Sequence, residues 1–133
     1  MKTFVDEYWN LGIPDDWIAE RYPECVSLYQ PDGIGELQIS ASRQGRPVSI
    51  SELRELASEH IRAGAKTDAV SLGDFEGFTL AYGADDEYWC EWYLKSGSLL
   101  LFVTYSCGTE DEGKEEDVVE AILETLHANP QGA

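Results

Sequence analysis

Three cysteines, two histidines and twenty-six acids are the side chains of this 133-residue sequence that could do covalent, metal or acid–base chemistry. Cys25, Cys90 and Cys107 are an odd number with no C-x-x-C spacing, which suits reduced thiols in a cytosol better than a disulfide framework. His60 and His127 stand alone without an H-x-x-x-H pair, so the spacing offers no transition-metal site. His60 falls in an apolar helical stripe, where an imidazole bonded to a neighbour is the ordinary occupant. A Cys–His nucleophile would need Cys25 or Cys90 beneath it. Asp85, Asp86, Glu87 and Glu91 gather near one hairpin, and Glu110, Asp111, Glu112, Glu115, Glu116 and Asp117 lead into the last helix. Acids at a helix start are favourable without any functional role. The D-x-D-x-D-G spacing of a calcium loop is missing, as are G-x-S-x-G, a P-loop and G-x-G-x-x-G after a strand. The expectation is a non-catalytic chain with no cofactor and no metal.

Charge narrows the partners. The net charge is −17, so nucleic-acid backbones and anionic membranes are poor partners, because neutralising phosphates takes clustered Lys and Arg. The bases concentrate in residues 43–66, where Arg43, Arg46, Arg54, Arg62 and Lys66 outnumber Glu52, Glu55 and Glu59. Such a surplus of acid serves solubility, and it also steers a basic protein toward the surface. No apolar run of about 18 residues is present to span a membrane. The start, MKTFVDEYWN, has no apolar stretch behind Lys2, which is the pattern of a chain without a signal peptide. A cytoplasmic location is expected, with the oligomeric state left open.

The length and the 43% apolar content fit one globular domain over 1–133 with a frayed tail from about 129. YWNLGI alternates, with Trp9, Leu11 and Ile13 on one side, and CVSLY and IGELQISA form a hairpin across QPDG. Ser49 and Glu52 make a capping box for a helix that runs to Gly64. Residues 65–74 read equally as an edge strand or a loop. FEGFTLAY is a strand, GADD turns it, and EYWCEWYL and LLLFVTYSC pair across a KSGS turn. That turn sets Leu94 opposite Leu99, Trp92 opposite Leu101, Cys90 opposite Val103 and Tyr88 opposite Tyr105. Cys90 and Cys107 would then lie about 13 Å apart at about 3.4 Å per residue, too far for a disulfide. A closing helix covers roughly 114–127, with His127 complementing its C-terminal dipole. The fold class is α+β, an antiparallel sheet of about six strands sandwiched between two helices.

The 87–107 ribbon locates the candidate surface. One of its faces is apolar throughout, whereas the other carries Trp89, Tyr93, Leu100 and Phe102 interrupted by Glu87 and Glu91. A helix covering Leu100 and Phe102 would leave aromatic anchors ringed by acids, and interfaces favour such anchors. Asp85, Asp86, Glu87, Trp89, Glu91 and Tyr93 are therefore the expected partner-binding residues.

WNLGIPDDW, the SLYQPDGIGELQIS hairpin, GDFEGFTLAY and LLLFVTYSC together resemble the PsbP/Mog-type superfamily. The resemblance covers most of the chain and implies the sheet-and-helix fold above. Members look to be mostly binding modules, in photosystem assembly, nuclear-transport regulation and type VI secretion, where they act as adaptor chaperones. Neither a chloroplast transit peptide nor a Ran-contact motif is seen, which points to a bacterial branch. No catalytic residue carries over. The expected function is masking of a basic protein partner, a toxin neutralised by an immunity protein being the most concrete case. The alternatives are an adaptor chaperone for a secreted effector, or a small enzyme with a Cys/His site.

Overall fold

The computed structural model describes residues 1–129. The elements are β1 (Lys2–Val5), β2 (Trp9–Ile13), β3 (Ile18–Arg21), β4 (Val26–Tyr29), β5 (Glu36–Arg43), α1 (Ile50–Leu56), α2 (Ser58–Arg62), β6 (Asp68–Leu72), β7 (Phe75–Ala84), β8 (Glu87–Ser96), β9 (Leu99–Gly108), α3 (Glu116–Leu123) and β10 (His127–Ala128). Seven strands make one antiparallel sheet in the order β3-β4-β5-β9-β8-β7-β6, and β1-β2-β10 make a smaller second sheet. The α+β class and the antiparallel pairing are as expected. The count of about six strands is not, because the described residues hold ten strands in two sheets. Of the four beyond that count, β6 settles the open stretch 65–74 as an edge strand, and β1, β3 and β10 are four, four and two residues long, too short to show an alternating pattern.

The long ribbon turns more tightly than expected. Gly97, at φ 58°, permits a two-residue turn through Ser98, so Ser96 pairs with Leu99 and Leu94 with Leu101. Trp92 then faces Val103, Cys90 faces Tyr105 and Tyr88 faces Cys107, each two positions beyond the expected partner. A slip of two keeps every side chain on its own face. It does bring the thiols together: Cys90 and Cys107 become diagonal neighbours, about 7–8 Å apart, and bridging them would still require backbone movement. All three cysteines are free.

The sheet is covered on both faces. On one, Trp9, Leu11 and Ile13 of β2 join Val119, Ile122 and Leu123 of α3 and Leu126 over Leu28, Leu37, Ile39, Leu94, Leu101 and Val103. On the other, Val48, Leu53 and Ala57 close over Phe78, Leu80 and Tyr93, with Leu100 and Phe102 beside them. Each fully buried Leu or Ile contributes about 1.5–3 kcal/mol. The Ser49 cap forms as expected, its Oγ accepting the Glu52 amide at 3.2 Å. The expected single helix is instead two, rotated at Ala57 (φ −92°, ψ 7°), and the second carries His60 to β7 and β8.

The last helix is shorter than 114–127, and its path shapes the site. Its start is held by Glu115 at the end of the sheet where Tyr105 lies, and Asp74 N donates to Leu126 O beyond its other end. Gly73, at φ 62°, makes that second junction possible, since a Cβ there would stand 1.8 Å from Leu126 O. The helix therefore crosses the sheet obliquely. His127 belongs to β10 rather than to a helix end, with Nδ1 3.2 Å from Asp74 Oδ2. Asn129 is anchored by its amide to Tyr8 O and by Nδ2 to Asp6 O. The rest of the expected tail, residues 130–133, lies outside the described residues.

Candidate functional site

The β7–β8 hairpin presents a different surface on each side. Its tip is the two-residue turn Asp85-Asp86, both at positive φ (51° and 65°) and both exposed, as is Glu87. Such a turn favours Asn-Gly or Asp-Gly, because only Gly enters the left-handed region without a Cβ penalty. Two aspartates here retain strain, and strain collects at functional sites. Asp86→Gly is expected to raise stability by about 0.5–1 kcal/mol, read as the denaturation midpoint. The same change removes a tip carboxylate, so binding of a basic partner should weaken while the protein becomes more stable. A rise in both would sever the tip from binding.

On the helix-capped face, His60, Tyr82 and Trp89 form a stack. The His60 and Tyr82 rings lie 4.4 Å apart at 21°, and Tyr82 and Trp89 lie 6.4 Å apart at 6°. Trp89 is half-buried, as a docking anchor requires. Glu91 and Tyr93 correct the expected patch: each is only 5% exposed. Glu91 accepts hydrogen bonds from Tyr82 Oη at 2.7 Å and Tyr93 Oη at 2.5 Å, and His60 Nε2 lies 3.4 Å away. Burial, then the bond to Glu91, pushes both phenols above their ordinary values, so they remain donors. Glu91 is thus an acceptor inside the protein, enclosed by Tyr82, Tyr93 and His60, rather than a contact offered to a partner. The hypothetical Cys–His pair is not assembled either. Cys90 points to the opposite face of β8, and the carboxylate of Glu91 occupies the place beside His60.

The opposite face carries a feature the sequence reading missed. Between α3 and the β6–β8 part of the sheet a cleft of about 640 Å³ opens, running from Tyr88 and Cys90 near the tip toward Val70 and Leu72. Its floor is Tyr88, Cys90 and Trp92, and Cys90 Sγ donates to Tyr88 Oη at 3.1 Å. Burial pushes the Cys90 thiol up, against the lowering effect of the Tyr88 bond, and Glu116 and Glu112 add to the rise. A protonated thiol near carboxylates is a soft apolar surface, not a nucleophile. Along the wall stand Glu112, Glu116, Glu120 and Glu124, all exposed, at intervals of four residues. Among the described residues none of the four is paired with a cation, and Lys66 is the one base at the rim. The E-x-x-x-E-x-x-x-E-x-x-x-E row is written in the sequence, but acids leading into a helix have an ordinary dipole explanation that hid it.

The arrangement can take up a cation. An apolar and aromatic floor holds the stem of a lysine or arginine, and the glutamate wall meets its head. Among the described residues no group of three or more His, Cys, Asp or Glu side chains is placed to hold a metal ion. No helix among them is long and apolar enough to cross a membrane.

No protein-family model matches the chain, and a comparison with curated proteins returns no match. Solved structures do share the fold. A protein of Bacteroides thetaiotaomicron VPI-5482, solved at 1.50 Å resolution, is similar over 99% of this chain with a TM-score of 0.73 and 19% identity. This chain spans only 50% of that protein's length. LpqN of Mycobacterium tuberculosis, described as involved in cell envelope biogenesis, is similar over 92% of this chain and 83% of its own, with a TM-score of 0.61 and 16% identity. At these identities the likeness is one of fold.

Proposed function

We propose that this chain is a non-catalytic, acidic binding protein that masks a basic protein partner in the bacterial cytoplasm, most concretely an immunity protein neutralising a toxin. We also propose that it belongs to a bacterial branch of the PsbP/Mog-type superfamily, on the order of its elements and its helix-covered antiparallel sheet. The observation that carries the functional reading is the unpaired glutamate row beside an aromatic floor, on a chain of net charge −17. Nucleic-acid-cleaving toxins carry basic clefts, and an acidic wall of this kind is complementary to one. A second reading, an adaptor chaperone for a secreted effector, draws on the apolar floor, which suits one side of an amphipathic helix.

Calorimetric titration of the purified chain with the product of a neighbouring toxin-like gene tests the first reading. Affinity should fall steeply between about 0.1 and 1 M salt, as the Debye length shrinks from about 10 to about 3 Å. The Glu116→Lys/Glu120→Lys double variant should bind at least about tenfold more weakly while the protein stays folded, since both side chains are exposed and the lost first-turn acid at 116 costs only about 0.3–1 kcal/mol. Salt-insensitive capture of an apolar helix from a large effector would favour the chaperone reading.

A further inference from the structure

The sheet has an unfinished edge beside the cleft. β6 pairs with β7 only from Leu72↔Phe75 to Asp68↔Thr79, whereas β7 continues to Ala84 against β8. Antiparallel strands direct successive backbone groups alternately to the two sides. Ala84 and Glu87 close the two-residue turn and so face each other, which sends the amide and carbonyl of Ala81 and of Gly83 outward. Neither residue makes a further backbone bond, and both are exposed. Their side chains are a methyl group and a hydrogen, so no side chain of their own shields the edge, and Gly64, Ala65 and Lys66, which lead into β6, stand at its near end. Such an edge is a template for another strand.

We propose that this edge, at Ala81 and Gly83, receives an extended basic segment of the partner as an added strand. The inference rests on the basic-partner reading and deepens it by naming the mode of docking. Alternation along the incoming strand would send one set of side chains toward Tyr88, Cys90 and the Glu112–Glu116 wall, and the other set over Tyr82 and Trp89. Cations on the first set meet carboxylates; on the second they lie against aromatic faces. Asp85, Asp86 and Glu87 close the end of the row. A second copy of this chain is the wrong occupant. Pairing edge to edge would bring together two molecules of net charge −17 each, which repel.

The test uses an acetylated octapeptide alternating lysine and threonine, and the same peptide N-methylated at alternate backbone amides along one edge. N-methylation keeps charge and side chains while removing strand donors. The unmethylated peptide should bind in a salt-dependent way and protect the Ala81 and Gly83 amides from hydrogen exchange. The methylated peptide should bind at least about tenfold more weakly, the loss of two or more hydrogen bonds. Gly83→Pro deletes an outward donor that is unused in the free protein and should cause a similar loss. Equal affinity of the two peptides overturns strand addition and leaves the basic-partner reading standing. Failure of both peptides to bind at low salt overturns strand addition and counts against that reading as well.

Discussion

Glu91→Ala is expected to lower the unfolding free energy by about 3 kcal/mol, roughly 10 °C in the thermal midpoint. The carboxylate is 5% exposed and is the acceptor for the Tyr82 and Tyr93 hydroxyls, with His60 beside it. Truncation leaves two phenolic donors facing a void, and each unsatisfied buried group costs about 1–3 kcal/mol. Glu91→Gln keeps an acceptor oxygen and should cost about half as much. Glu87→Ala, four residues earlier on the same face but exposed, should stay within about 0.5 kcal/mol. Tyr93→Phe made in the Glu91→Ala background should cost less than it does alone, because its hydroxyl has then already lost its partner. Equal midpoints for the alanine variants at 87 and 91 would show that the bonded carboxylate contributes nothing. A substitution at 91 therefore reports on folding, and charge reversal at the tip or along α3 is the way to probe docking.

Glu91 also marks where sequence reasoning stops. Period-two alternation reads faces well: Trp9, Leu11 and Ile13 on β2, the pairing of Leu28 with Leu37 and the apolar side of β8 and β9 all follow from it. It does not report depth. A glutamate between Trp89 and Tyr93 has the same pattern whether its face is wet or capped, and the cap here depends on the break at Ala57, after which α2 sets His60 beside Glu91. Residues 87–91 were legible as an acidic and aromatic strip, but the division into an exposed tip and a sealed interior was not.

The cleft was hidden for a different reason. It is a gap between α3 and the β6–β8 strands, and a gap between elements has no residue pattern of its own. The oblique path of α3 depends on two distant junctions, Glu115 at one end and the Gly73–Asp74 turn at the other. The free edge depends on β6 pairing no farther than Asp68, which leaves no trace in the composition of β7. Small residues at 81 and 83 were visible, but a Gly in a strand has many meanings.

Glu115→Ala should be the other severe change, costing about 3–4 kcal/mol. This carboxylate, 8% exposed, accepts from Tyr105 Oη at 2.6 Å, Gly35 N at 2.8 Å and Ile34 N at 3.4 Å. It ties two separated parts of the chain, the 34–35 loop and β9, to the start of α3. The loop must approach closely for this, since a Cβ on Gly35 would stand 2.4 Å from Tyr105 Oη. Glu115→Gln should recover part of the loss, and Tyr105→Phe should cost less in the alanine background than in the parent. The consequence for binding separates Glu115 from Glu91. Glu91 lies beneath the aromatic stack, whereas Glu115 sets where the wall of Glu116 and Glu120 begins. In Glu115→Ala, hydrogen-exchange protection at the first turn of α3 should fall, and a basic peptide should bind more weakly at a temperature where the protein remains folded. Undiminished peptide affinity together with lost protection would mean that the glutamate row acts without a fixed position, as a diffuse field rather than as the wall of a site.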